Sequence, residues 1–224
     1  MLEFERYYHI YNHANGCENL FREEKNYTFF IDKYREHTEA VAETLAWCLM
    51  PNHFHILLRI KSEKEIASNI LKITSTSSTY TKFGTLDKFN TKINKLNKFV
   101  ENEDLEFRLK FLSKQFANFF SSYTQSYNKI YKRRGSLFLK NYKKKEINND
   151  EYLRNIILYI HQNPVHHGFC QTPIQWKWSS YSTFVSTKND LFLALFGDLQ
   201  NYQWLHYGEQ TSRFDFKSVE KEIT

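Results

Sequence analysis

The chain has 224 residues, of which 17% are aromatic, and carries a formal charge of +6 with a sequence pI near 9.0. Six glycines and three prolines exclude a collagen-like or linker-rich disordered chain, and the length suits one domain, or one with a sizeable insertion. No apolar run approaches the roughly 18 residues that cross a bilayer, and the N-terminus MLEFERYYHIYNH lacks the apolar core of a signal peptide. The cysteines, Cys17, Cys48 and Cys170, are odd in number and form no C-x-x-C, so neither a disulfide framework nor a cysteine zinc site is indicated. The expected setting is the reducing cytoplasm. The positive charge favours an anionic partner, nucleic acid first, over the plainer reading of ordinary solubility.

Taken in chain order, RYYHIYNH (6–13) alternates aromatic and polar residues as a strand does, and Asn15-Gly16 marks a turn. A helix is expected within about 18–42. ETLAWCLM (43–50) and HFHILLRI (53–60) read as two strands of a hairpin joined at Pro51-Asn52. KEIASNILKITSTSSTYTKF starts as a helix and becomes Ser/Thr-rich. A Lys/Asn-rich stretch near 81–106 reads as a surface insertion or a helical excursion. Helical periodicity resumes over 107–131, with Gly135 as its stop, and SLFLKNYKKKEI (136–147) follows as a strand with a basic end. Asn148 or Asn149 caps a last helix, EYLRNIILYIHQN, expected to end near Asn163 because Pro164 disfavours helical backbone before it. The order predicts an α+β chain: a ferredoxin-like βαββαβ sheet with helices on one face and an additional helix after the last strand.

Two features carry chemistry. His53 and His55 occupy i and i+2 of a strand and project to one side, close enough to share a divalent ion given a third ligand. The competing reading is two unrelated histidines, one exposed and one hydrogen-bonded. On the last helix, Tyr159 and Asn163 stand at i and i+4 and are neighbours on one flank of the stripe Leu153, Ile156, Ile157 and Ile160. The competing reading there is a boundary tyrosine and a helix-end asparagine. A phenol with a pKa near 10 is a poor nucleophile unless its target is made electrophilic, and a metal-polarised phosphoryl group is such a target. Tyr127, Tyr131 and Tyr152 are rival phenols, but none precedes an amide at i+4 beside a proline. His161, His166 and His167 read as polar residues that could touch DNA or simply face solvent.

From Lys129 to Lys145 the chain carries Lys129, Lys132, Arg133, Arg134, Lys140, Lys143, Lys144 and Lys145 with no acidic residue, interleaved with aromatics including Tyr142. Cations for phosphates and rings for base stacking are the recipe for single-strand binding, against the alternative of a solvated basic edge.

Together, MPNHFHILL (50–58), YNKIYKRRGSLF (127–138), YIHQNPVHHGF (159–169) and WSSY (178–181) resemble the single-tyrosine HUH transposases of insertion sequences, in particular the REP-associated (RAYT-like) branch. The resemblance spans most of 6–181, read as one HUH domain (1–181) with an insertion at about 81–106. It leaves 182–224 as an extension without an assigned role. It implies a ferredoxin-like fold, a bound Mg²⁺ or Mn²⁺, and cleavage and strand transfer of single-stranded or hairpin DNA in DNA transposition and recombination. By residue, it implies His53 and His55 as metal ligands, Asn163 as the third, and Tyr159 as the nucleophile forming a 5′-phosphotyrosine link. It also leaves open a homodimer in which the tyrosine serves its own site or a partner's. The alternatives are a domesticated DNA-hairpin-binding protein that no longer cuts, and an unrelated hydrolase with histidine-bound zinc, which lacks an obvious carboxylate base beside the H-x-H.

Overall fold

A computed structural model describes residues 1–75, 86–186 and 190–207. Its elements are β1 (Tyr7–His13), α1 (Glu24–Thr38), β2 (Ala42–Met50), β3 (His53–Ile60), α2 (Glu63–Ser75), α3 (Leu86–Glu101), α4 (Leu105–Ile130), β4 (Lys143–Ile147), α5 (Asp150–His166), α6 (Tyr181–Ser186), α7 (Asp190–Phe196) and α8 (Leu199–Tyr207). The four strands form one sheet in the order β2-β3-β1-β4, every neighbouring pair antiparallel. This is the expected βαββαβ arrangement, with α2 and α3 inserted before the second crossover helix, α4.

Alternation along the strands sends two different sets of side chains to the two faces. Tyr8, Ile10, Phe54, Ile56, Leu58 and Ile60 join one apolar cluster with Phe30 and Tyr34 of α1 and Phe116, Phe119 and Tyr123 of α4. Ala46, Cys48, Leu57, Tyr11 and Ile147 join a second with α5 and with Phe192, Phe196 and Tyr202 of the C-terminal helices. Helices cover both faces, which is why β3 is buried at every position except Arg59. The expected single layer of helices is therefore α1 and α4. The additional helix, α5, founds a second layer on the opposite face.

Several boundaries differ from expectation. The strand predicted over 136–147 is extended and paired only from Lys143, apart from one bridge between Phe138 and Ala14. Asn141 sits at φ 62, in the left-handed region, and extended backbone cannot run through it. Helix α4 ends at Ile130. Lys132 (φ 51), rather than Gly135, takes the first left-handed position after it. Helix α5 continues through Pro164 to His166. The proline removes one backbone bond a turn from the helix end, and the stop is Gly168 at φ 72, whose N–H bonds to the carbonyl of Val165. The Lys/Asn-rich stretch holds α3, whose Phe99 is buried with its ring 5.1 Å from Phe111 of α4; its first residues, 81–85, lie outside the described residues. Of the extension expected over 182–224, three short helices pack beside α5, and 208–224 lie outside the described residues.

The outer edge of β2 is occupied from Trp47 to Leu49. Leu49 donates to Trp178 O and Ser180 to Trp47 O, so the WSSY segment takes up hydrogen-bonding groups that an exposed edge strand would offer to other chains. Among the described residues, no helix is long and apolar enough to cross a membrane.

Candidate active site

On the α5 side of the sheet, His53 and His55 of β3 lie across from His13 and Tyr11 of β1, with His9 one step further along. Helix α5 crosses this face and brings Asn163 down onto both imidazoles. Asn163 Oδ1 is 2.9 Å from His53 Nε2, and its Nδ2 is 3.4 Å from His55 Nε2. One turn earlier, the Tyr159 ring stands edge-on to His55 with centroids 5.2 Å apart. The two sequence motifs, H-x-H and Y-x-x-x-N, thus meet within a single chain. Asn163 is fully buried, and Tyr159, His53 and His55 are 3%, 5% and 3% exposed.

Both nitrogens of His53 face amide oxygens. His53 Nδ1 lies 2.8 Å from Asn52 Oδ1. An amide oxygen only accepts, and Nε2 faces one as well, so a neutral ring can donate to only one of the two; with the proton on Nδ1, Nε2 keeps its lone pair for a cation. That lone pair faces a second acceptor, Asn163 Oδ1. Two acceptors in contact repel unless a proton or a cation sits between them. A ligand histidine normally gives its other N–H to an oxygen in just this way. Burial first, opposed by the Asn163 contact, lowers His53 to about 4. Burial and then the neighbouring imidazoles hold His55 well below the ordinary range. Both rings are therefore neutral near pH 7, the form that binds metal. Two imidazole nitrogens and one amide oxygen form a set that fits a divalent ion. Among the described residues no group of three His, Cys, Asp or Glu side chains could hold one, so the amide oxygen is essential to the fit.

The outer side of His53 leads to solvent. His13 stacks on it at 4.7 Å and His167 meets it edge-on at 5.2 Å, and both are exposed. His166 is exposed as well, but His161 is not. It is fully buried, its Nε2 2.8 Å from Ser180 Oγ and its Nδ1 2.7 Å from the Tyr202 hydroxyl, where it ties α5 to the WSSY segment and α8. The rival phenols on α4 and at its C-terminal cap belong to the other face: Tyr127 donates to Asn19 O, and Tyr131 bonds to Glu23 and Asn26.

The basic segment divides. Lys143 and Lys145 pair with Tyr11 and His9 across the β1–β4 ladder and share their face with Ile147, so they flank the imidazoles along the sheet edge. Lys129, Lys132, Arg134 and Lys140 are exposed. Arg133 is engaged in the fold, bonding to Glu18, Asn128 and Ser136 O, and it holds the Glu18 carboxyl below its usual range. Lys144 turns to the opposite face, donates to Met1 O and lies over the Tyr8 ring. Tyr142 packs against Phe116 and Phe120, half-buried.

Sequence reading missed His9 and Tyr11. His9 is fully buried, with Nε2 3.0 Å from His55 Nδ1, and the Tyr11 ring stacks against His55 at 6.0 Å. The signal was the alternation His9, Tyr11, His13 along the first strand, which gains meaning only once that strand is known to pair with the H-x-H strand.

No protein-family profile matches the chain, and no curated protein matches it. Among solved structures, the chain is similar to a REP-associated tyrosine transposase bound to a REP hairpin. The TM-score is 0.49 and the identity 15%, over 85% of this chain and 88% of that one.

Proposed function

We propose that the chain is a metal-dependent transposase that nicks and rejoins single-stranded or hairpin DNA through Tyr159. The observation that carries this reading is the meeting of His53, His55, Asn163 and Tyr159 at one point of one chain. His53 Nε2, His55 Nε2 and Asn163 Oδ1 would hold Mg²⁺ or Mn²⁺, ions for which an amide oxygen is a suitable ligand. Such an ion supplies Lewis-acid polarisation of a phosphoryl oxygen and offsets the charge that develops there. The Tyr159 oxygen forms a bond to phosphorus as the bond from phosphorus to the 3′ oxygen breaks. The phenol gives up its proton, and the leaving oxygen gains one. The products are a 5′-phosphotyrosine link and a free 3′-hydroxyl, and attack by a 3′-hydroxyl reverses the step without ATP. Lys143 and Lys145, beside the imidazoles, neutralise phosphates of the approaching strand, and the exposed Lys129, Lys132, Arg134 and Lys140 extend that surface.

One observation favours a second reading, a DNA-hairpin-binding protein that does not cut: the Tyr159 phenol is almost wholly shielded. Labelled hairpin and single-stranded oligonucleotides incubated with Mn²⁺ and resolved under denaturing conditions separate the two. The transposase reading requires a covalent adduct with wild type that disappears in Tyr159→Phe and on chelation. Tight, salt-sensitive hairpin binding with no adduct from either protein supports the binding-protein reading and overturns the first.

A further inference from the structure

Beyond the ligands themselves, the α5 face holds an imidazole that none of the roles above uses. His9 is completely buried at the centre of the sheet. Its Nε2 lies 3.0 Å from His55 Nδ1, with ring centroids 5.1 Å apart and ring planes inclined by 27°. Its other nitrogen, Nδ1, is buried with no hydrogen-bond partner among the described residues. The same ring meets Tyr159 edge-on at 6.1 Å. Burying a polar ring with one nitrogen unsatisfied costs about 1–3 kcal/mol, which an aliphatic residue on that strand would avoid. The cost is explained if the satisfied nitrogen does something that an aliphatic side chain cannot.

The tautomers show what that is. For His55 to present a lone pair at Nε2, its proton must sit on Nδ1. An Nδ1–H needs an acceptor, and the atom in front of it is His9 Nε2. The proton of His9 then rests on the unpartnered Nδ1. In metal centres this outer position is commonly filled by a carboxylate or a backbone carbonyl. Among the described residues the buried polar side chains include no Asp or Glu. A carboxylate would also cancel one unit of the ion's charge, whereas a neutral imidazole orients the ligand and leaves that charge to act on phosphate.

We propose that His9 is a positioning residue of the metal site: by accepting the Nδ1–H of His55 it fixes the tautomer and ring orientation that present Nε2 to a divalent cation. This rests on the metal-site reading above, and its test separates the two. Mn²⁺ binding is measured by calorimetry on wild type, His9→Leu, His9→Gln and His55→Ala. The tautomer of His55 is read from ¹⁵N chemical shifts of the wild type with Mg²⁺ bound.

The expected result is an affinity about 10–100-fold weaker in His9→Leu, the usual cost of losing such a partner. His9→Gln, whose amide oxygen can accept the same bond, should recover most of it, and thermal stability of His9→Leu should stay at or above that of wild type. A purely structural role would move stability and leave affinity alone. If His9→Leu does not fold, His9→Gln and the wild-type spectrum decide the matter, because His55 must carry its proton on Nδ1. Wild-type affinity in His9→Leu beside weak binding in His55→Ala would overturn this inference alone, whereas a proton on Nε2 of His55 would overturn it together with that nitrogen as a ligand. Wild type binding Mn²⁺ no better than His55→Ala would overturn the metal site and this inference with it.

Discussion

The two faces of the sheet are built from the same strands, and both carry an apolar cluster, but they differ where β1 and β3 place their histidines. Toward α1 and α4, β1 and β3 present Tyr8, Ile10, Phe54, Ile56 and Leu58, in a cluster dense with phenylalanine. Toward α5 the alternate positions of the same strands present His9, Tyr11, His53 and His55, and the covering helix adds His161, Gln162 and Asn163, all buried. An apolar face needs only shape and volume to be stable. A buried face of imidazoles and amides is expensive, and each group requires a partner. The α5 face keeps an apolar cluster of its own around Leu57, Ile147, Ile156 and Phe192, so the difference is confined to the patch where the imidazoles gather, and substitutions there and at Phe54 should separate the candidate site from folding.

The largest expected effect on that separation is Phe54→Ala. Phe54 is fully buried between Phe30, Phe120 and Phe138, and its truncation should cost about 3–5 kcal/mol in urea unfolding. His55→Ala, the next residue on the other face, should cost less than half as much; equal losses would break the comparison. Next comes Asn163→Ala, expected to weaken Mn²⁺ binding and adduct formation by on the order of 100-fold. The unfolding midpoint should shift little, because the amide mainly contacts the site.

The polar face should also make the protein acid-sensitive. Burial lowers His9 to about 3 and His206 to about 4, below the ordinary imidazole value. Between those values and about 6.5 the unfolded chain binds protons that the folded chain refuses. Stability therefore rises with pH across that window and falls on acidification, by about 1.4 kcal/mol per pH unit for each such histidine. Urea unfolding at pH 5 and pH 7 checks the sign, and a protein equally stable at both would contradict the neutral burial of these rings. The smallest expected effect is Lys143→Ala, which should reduce the salt slope of single-strand binding by about 0.7, with little change in stability. Arg133→Ala should do the reverse, since its guanidinium is committed to Glu18 and Asn128.

Much of this was legible before any coordinates, because local periodicity fixes direction. H-x-H on a strand and Y-x-x-x-N on a helix each place two side chains on one side, and the apolar stripe of α5 shows which flank reaches the sheet. Most of the order of elements was also readable from the 2- and 3.6-residue periods, but the weakly apolar Lys/Asn-rich stretch that holds α3 did not decide between an insertion and a helix. What escaped depended on pairing between distant segments. His9 matters only because β1 lies beside β3, and nothing local in RYYHIYNH states that register. Arg133 read as one cation in a basic run because Glu18, its partner, is far away in sequence. Pro164 misled because its penalty is local, whereas the helix end is set by Gly168. The shortened β4 traces to Asn141, whose left-handed backbone ordinary strand propensity does not reveal.

The most direct test is peptide mapping of the trapped DNA adduct by mass spectrometry. Wild type treated with Mn²⁺ and cleavable single-stranded or hairpin DNA should yield one modified peptide, with the 5′-phosphorylated product fragment bonded to Tyr159. A nucleotide adduct on any other residue, or DNA cut with no bond to protein at all, would contradict the account.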